Sequence, residues 1–292
     1  MFRGTYTALV TPFRDGAIDE EALRRLIDEQ IAAGIEGIVP CGSTGESATL
    51  SHDEHEQVIK LSIQQARGRI KVMAGTGSNN TAEACNLTRA AAEAGADAAL
   101  LISPYYNKPT QHGHIEHYKA IAAASDLPLI VYNIPGRTGI NMTPETIARL
   151  AEIRNIVGVK EASGSVDQWL RIIQLCGPDF CVLSGDDAVT VPLMSIGGHG
   201  VISVMSNVVP ARVKAMVDAA LAGDFARAAK LTYELLPLFQ TIGLEVNPIP
   251  VKAELAMLGK IRNELRLPLT PLSPEPERKV REVLRAQGLL KD

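Results

Sequence analysis

Lys71-Val72-Met73-Ala74-Gly75-Thr76-Gly77-Ser78-Asn79 is a short apolar run that breaks into a polar, glycine-rich turn. A helical stretch at 82–94 follows, and Ala94-Gly95 hands the chain to a second apolar run at 98–103. Such a pair suits a helix C-terminus, where glycine adopts the left-handed conformation without penalty. The unit reads strand, turn, helix, strand, and it recurs along the whole chain. Strand-like runs fall at 5–11, 37–40, 71–75, 98–103, 129–133, 157–161, 181–184 and 200–204. Helix-like stretches fall at 20–33, 53–67, 82–94, 115–124, 144–152, 167–175, 189–196 and 210–221. Ser51-His52-Asp53-Glu54 has the spacing of a capping box, and Thr143-Pro144-Glu145 sets proline at a first helical position.

The strands are too uniformly apolar for burial on one face, which predicts an all-parallel sheet. Eight strand–helix units favour closure into an α/β (β/α)8 TIM barrel over an open doubly wound sheet. The first turn, Thr11-Pro12-Phe13-Arg14-Asp15-Gly16, also lacks a dinucleotide fingerprint. The barrel is expected to occupy 1–222. Residues 223–292 should form a C-terminal helical extension of the same domain, with helices at 224–242, 250–258 and 274–286. Pro248-Ile249-Pro250 should interrupt rather than continue a helix.

Hydrophobic residues make up 46% of the 292 residues and charged residues 21%, with a net charge of −4. That balance supports a sizeable core and disfavours nucleic acid or an anionic membrane as the main partner. No apolar run reaches the roughly 18 residues of a membrane span, and the N-terminus lacks a signal-peptide pattern. Cys41, Cys85, Cys176 and Cys181 are scattered and read as thiols of a cytoplasmic protein. The sequons at Asn79, Asn86 and Asn141 then carry no meaning.

A barrel puts its chemistry at the C-terminal ends of the strands. Lys160 ends one apolar run, where an inward ammonium would be poorly solvated and a neutral, nucleophilic amine favoured. From position alone it could equally point into solvent. Tyr132 ends the adjacent run and offers a phenol for proton transfer, although a lone tyrosine is more often core. Ser43-Thr44 lies in a glycine-flanked turn whose N–H groups suit a carboxylate, a weak signal alone. Arg137, on the stiff Pro135-Gly136-Arg137-Thr138 turn, could fork onto a carboxylate. Two metal-like features are discounted. His112-Gly113-His114-Ile115-Glu116-His117 lacks the i,i+4 histidine pair of a helical zinc site and reads as a surface helix start. Asp186-Asp187 lacks partner carboxylates and reads as a loop and helix cap. Gly197-Gly198-His199-Gly200 reads as a tight turn.

Across the whole chain the sequence resembles the dihydrodipicolinate synthase family of pyruvate-dependent Schiff-base aldolases. The resemblance is carried by Gly42-Ser43-Thr44-Gly45-Glu46, by Pro104-Tyr105-Tyr106-Asn107-Lys108-Pro109 and by Tyr132-Asn133-Ile134-Pro135-Gly136-Arg137-Thr138. Gly158-Val159-Lys160-Glu161-Ala162-Ser163 completes the set. It implies that Lys160 forms the Schiff base with pyruvate, and that Tyr132, Ser43 and Tyr106 form a proton relay, Tyr106 reaching into a neighbouring subunit. It further implies that Thr44 lies where pyruvate's carboxylate meets backbone N–H groups, and that Arg137 holds the carboxylate of L-aspartate 4-semialdehyde. Gly185 and Ile202 would line the site through their main chains. Ser43 departs from the pattern, which has threonine there; the hydroxyl survives and the orienting methyl is lost.

The implied reaction yields 4-hydroxy-tetrahydrodipicolinate, the first committed step of diaminopimelate and lysine biosynthesis, and needs no metal or organic cofactor. A second site for feedback inhibition by L-lysine is implied at Ser47, Ala48, His52, His55, Asn79, Glu83 and Tyr105. The resemblance also implies a homotetramer built as a dimer of dimers. The nearest alternative is a lyase of N-acetylneuraminate or 2-keto-3-deoxy sugar acids, whose members lack the arginine at position 137. A non-catalytic metabolite-binding barrel and a metal-dependent aldolase are more distant alternatives.

Overall fold

Along each barrel strand, alternate side chains point to opposite faces, so a strand buried end to end must find apolar partners on both. The computed structural model, which describes residues 1–291, supplies them. Eight parallel strands close into a barrel: β1 (Gly4–Ala8), β2 (Gly37–Val39), β3 (Lys71–Gly75), β4 (Ala98–Ile102), β5 (Leu129–Asn133), β6 (Ile156–Glu161), β7 (Cys181–Ser184) and β8 (Gly200–Ser203). Each strand pairs with its sequence neighbours, and β1 pairs with β8 in the register Gly4↔Gly200. A cluster containing Tyr6, Met73, Leu100, Ile130, Tyr132, Leu183 and Ile202 fills the interior. A larger cluster takes the outward faces and the surrounding helices.

The helices are α1 (Glu20–Ala32), α2 (His52–Ala66), α3 (Thr81–Ala94), α4 (Gln111–Ala124), α5 (Pro144–Ala151), α6 (Val166–Cys176), α7 (Thr190–Ser195) and α8 (Pro210–Leu221). Beyond the barrel come α9 (Phe225–Thr241), α10 (Ile249–Met257) and α11 (Pro274–Ala286). Leu235, Leu238, Val251, Leu255, Val280 and Leu284 of these last three belong to the same outer cluster as the barrel helices. Among the described residues no helix is long and apolar enough to cross a membrane.

Local signals set most helix starts. Ser51 and Glu54 form the reciprocal capping box at α2, and Thr143 caps α5 with Pro144 in its first turn. Helix α4 begins at Gln111, earlier than the apolar pattern indicates, because the Thr110 side chain accepts from Gly113 N and caps a polar first turn. A short hairpin (Phe13–Arg14 with Ala17–Ile18) and a helical turn (Pro135–Thr138) escape hydrophobic periodicity altogether.

One expectation is corrected on α4. His114 and His117 are not surface residues: their exposures are 0% and 6%. His117 Nδ1 lies 2.9 Å from Thr81 Oγ1 of α3, whereas both ring nitrogens of His114 have no partner among the described residues. Burial lowers both pKa values, that of His117 to about 4, with His114 adding to the effect. Each histidine therefore binds its proton less tightly in the folded chain than in the unfolded one. Their contribution to stability is fully present above about pH 6.5 and drains away as pH falls towards about 4, by roughly 3 kcal/mol for His117. Thermal unfolding followed across this window should show the decline, and His117→Phe should flatten it. An unchanged slope in that variant would assign the acid sensitivity elsewhere.

Candidate active site

Lys160, near the C-terminal end of β6, is 5% exposed and stands in register between Tyr132 of β5 and Leu183 of β7. Its Nζ lies 4.3 Å from the centroid of the Tyr132 ring. Burial depresses its pKa to about 7; Asp187's charge opposes the shift and Arg137's adds to it. A large fraction of the amine is therefore neutral, and nucleophilic, near neutral pH. Gly185 follows β7, and a Cβ there would come within 2.8 Å of Ala162 Cβ and 3.1 Å of Lys160 Cε. Glycine lets the backbone approach the lysine stem closely enough to hold it upright. The Tyr132 phenol is buried, which raises its pKa, while Arg137 pulls the other way. It remains a protonated donor at neutral pH.

These groups share a cavity of about 390 Å³ lined by Ser43, Thr44, Tyr132, Arg137, Lys160 and Gly185, with Asp187 and Asn247. The amides of Gly45, Glu46 and Ser47 are spent on the turn itself, donating to Gly42 and Ser43 carbonyls. Those of Ser43 and Thr44 donate to no acceptor among the described residues and can meet an anion. No hydrogen bond joins Ser43 to Tyr132 among the described residues; the cavity brings the two hydroxyls together but does not link them. Ile202 is buried in the interior cluster and lies outside the cavity wall. Tyr106 is 88% exposed, with φ of 68°, and lines neither this cavity nor the next.

Two contributors have no local sequence signal for the part they take in the site. Asn247, from the segment between α9 and α10, donates to Thr44 Oγ1 at 2.9 Å, and its carbonyl accepts from Arg137 Nη2 at 2.7 Å. Asp187 is the second, and its expected role is corrected. Asp186, not Asp187, serves the turn, accepting from Ala188 N, and α7 starts at Thr190 without a side-chain cap. The Asp187 carboxylate turns inward and accepts from Ser203 Oγ, Val204 N and Met205 N at the end of β8.

A neighbouring cavity of about 430 Å³ contains Ser47, Ala48, His52, His55, Glu83 and Tyr105 in its wall. Asn79 stands just behind, donating to the Tyr105 carbonyl at 3.4 Å. Glu83 accepts from Ser78 and meets His52 Nε2 at 2.6 Å; those contacts, Ser78's first, lower its pKa and keep it anionic. His55 Nε2 lies 2.7 Å from the Gly75 carbonyl, and burial keeps the ring neutral. Ser43, Tyr132, Arg137 and Asn247 line both cavities, which therefore share a wall.

The turn carrying Ser43 and Thr44 is anchored from the far end of the chain. Glu46 and Lys252 of α10 form a fully buried ion pair, and Lys252 Nζ also donates to the Thr11 carbonyl and sits 4.3 Å from the Phe13 ring centroid. Arg266 N completes the Glu46 carboxylate at 3.1 Å. Removing one member of a buried pair strands the other charge, at a cost of about 3–5 kcal/mol. Lys252→Met should lower the denaturation midpoint accordingly, and Glu46→Gln in the same chain should recover part of the loss. Equal midpoints in wild type and Lys252→Met would show that the pair does not hold the turn.

The model of the Dihydrodipicolinate synthetase family matches residues 1–287. A 4-hydroxy-tetrahydrodipicolinate synthase of Nitratidesulfovibrio vulgaris is 58% identical over 290 residues, covering 99% of both chains. Among solved structures, dihydrodipicolinate synthase of Aquifex aeolicus superimposes with a TM-score of 0.98 at 50% identity, over 100% of both chains. The Acinetobacter baumannii enzyme, chloride-inhibited and complexed with pyruvate, gives 0.97 at 45% identity, over 99% of this chain and 100% of that one. The Cyanidioschyzon merolae enzyme with lysine bound gives 0.96 at 42% identity, over 99% of each.

Proposed function

The chain belongs to the dihydrodipicolinate synthetase family, and from that premise we propose how its own residues carry out the reaction for which its relatives are named. It condenses pyruvate with L-aspartate 4-semialdehyde to 4-hydroxy-tetrahydrodipicolinate, in the pathway to diaminopimelate and lysine. The observation that carries the residue assignment is Lys160, a buried lysine whose amine titrates near neutrality beside a buried tyrosine.

Neutral Lys160 attacks the ketone carbon of pyruvate, and the carbinolamine loses water to give an iminium. Loss of a proton from the methyl carbon turns the iminium into an enamine, which forms the new carbon–carbon bond to the aldehyde. The amine of the incoming chain then attacks the iminium carbon, closes the ring and releases Lys160. One water leaves overall. Tyr132 and Ser43 exchange protons with the carbinolamine across the shared cavity. The free amides of Ser43 and Thr44 receive pyruvate's carboxylate, and Arg137, exposed at the mouth, receives that of the semialdehyde. Gly185 packs on the lysine stem.

Tyr106, exposed and turned away from its own cavity, is assigned to a partner's relay in a homotetramer arranged as a dimer of dimers. Exposed Val166 and Leu170 on α6 suit a further subunit contact. The second cavity is assigned to L-lysine as feedback inhibitor, with anionic Glu83 facing its ammonium groups. Four free cysteines are consistent with a cytoplasmic enzyme.

Borohydride reduction in the presence of pyruvate should leave a pyruvyl adduct on Lys160, detectable by peptide mass spectrometry. The yield should fall as pH drops through about 7, because protonation removes the nucleophile. Lys160→Ala should abolish both adduct and turnover. Arg137→Ala should keep the adduct but raise KM for the semialdehyde by about tenfold or more, as loss of a charged hydrogen bond implies. An adduct elsewhere, or full activity in Lys160→Ala, would reject the assignment. For the second cavity, Glu83→Gln should weaken lysine inhibition at least about tenfold without changing uninhibited turnover; inhibition that survives intact would place lysine elsewhere.

A further inference from the structure

The cavity contains one buried carboxylate that the steps above do not use. Asp187 is 5% exposed and lines the same wall as Lys160, two residues beyond the glycine that packs on the lysine stem. Its Oδ2 accepts from two backbone amides, Val204 N at 3.0 Å and Met205 N at 3.2 Å, and its Oδ1 accepts from the Ser203 hydroxyl. An oxygen held by two N–H donors has no room for a proton, so the arrangement fits an anion. Burial raises the pKa of this carboxyl, with Asp186 adding to the rise, and the three donors oppose it.

The charged groups around it are few. Lys160 approaches from β6, Asp186 from its own turn and Glu254 from α10; Tyr132 and Arg137 face Lys160 from β5 and the turn after it. Glu254 has one oxygen bonded by Thr241 and the other without a partner among the described residues, and burial pushes its pKa up to about 8, with Asp187 adding to the rise. Glu254 is thus mostly protonated at neutral pH, and its second oxygen has no donor, whereas the three donors on Asp187 suit a buried anion near the lysine. A Schiff base turns a titrating amine into a fixed cation as the iminium forms. In a cavity of low dielectric that cation gains most from an anion already in place.

We propose that Asp187, on the turn after β7 and held there by the end of β8, is a positioning counter-charge for Lys160 that stabilises the iminium and the enamine's return to it. The inference rests on the Schiff-base reading above. Because the anion favours the charged form of Lys160, its removal must shift deprotonation of that lysine to lower pH while weakening the iminium.

The test compares wild type, Asp187→Asn and Ser203→Ala by cyanoborohydride trapping of pyruvate on Lys160 across pH. Asp187→Asn should move the midpoint of trapping acid-ward by about one unit, at the low end of the ~1–3 units for a nearby opposite charge. Its half-saturating pyruvate should rise about tenfold. Ser203→Ala removes a hydrogen bond but not the charge and should leave the midpoint in place. A wild-type midpoint in Asp187→Asn overturns the proposal, as does a shift of equal size in Ser203→Ala. Should Asp187→Asn fail to fold, infrared spectra of wild type with 13C-labelled aspartate decide the matter. An aspartic acid carbonyl band at neutral pH overturns the proposal, and its absence supports an anionic Asp187. No pyruvyl adduct in wild type would instead reject the Schiff-base reading itself.

Discussion

Closure of the barrel depends on how closely β1 and β8 can approach. At their seam Gly4 pairs with Gly200, which holds φ of 146°, and a Cβ on Gly200 would lie 2.0 Å from the Gly4 carbonyl oxygen. Any side chain there forces the strands apart and leaves two unpaired edges, with rows of backbone donors and acceptors to satisfy. With the seam closed, all eight strand ends converge on one mouth. Ser43 after β2, Tyr132 on β5, Lys160 on β6 and Gly185 after β7 meet there although they lie far apart in the chain. The site is a consequence of closure, and no pair of adjacent elements contains it.

The same burial that stabilises the barrel sets its reactivity. Two lysines are enclosed, and their surroundings separate their roles. Lys252 has a carboxylate in direct contact and an aromatic face beneath it, so Glu46 offsets part of the burial cost and the charge is retained as a tie. Lys160 has no ion pair in contact among the described residues; its amine is driven from 10.5 to about 7, which corresponds to about 5 kcal/mol of lost preference for the charged form. One lysine holds two parts of the chain together; the other is left free to react.

The fold was legible because its signals are local. Apolar runs mark the strands to within a few residues, and side-chain caps at Ser51 and Thr143 mark helix starts. Helix α4 was read short because Gly113 and three histidines mask a capped first turn, and the burial of His114 and His117 depends on α3 packing across them. Tyr132 and Lys160 stand out as polar residues ending apolar runs, and Arg137 as a cation on a stiff proline–glycine turn. Asp187 reads as a cap because a carboxylate in a turn usually is one, and its partners, at and just beyond the end of β8, are 16 to 18 residues away. Asn247 gave no signal, because its tie to Thr44 spans 203 positions of sequence.

That last contact changes how the C-terminal helices should be understood. The two turns that receive carboxylates in the proposed reaction, at Thr44 and at Arg137, are bridged by one residue from beyond the barrel. Four further contacts come from the same region: Lys252 and Arg266 N to Glu46, Arg266 to the Thr49 carbonyl, and Arg266 to Glu54 in the first turn of α2. Glu54 is pulled down to about 2 by that guanidinium, so the pair stays charged through the neutral range. A glycine-flanked turn such as 42–45 has little stiffness of its own. Its geometry is imposed from outside, through one buried ion pair and one asparagine amide. The extension therefore works as a brace for the β2 turn, and substitutions within it should be weighed by their distance to Thr44 rather than by their distance to the barrel.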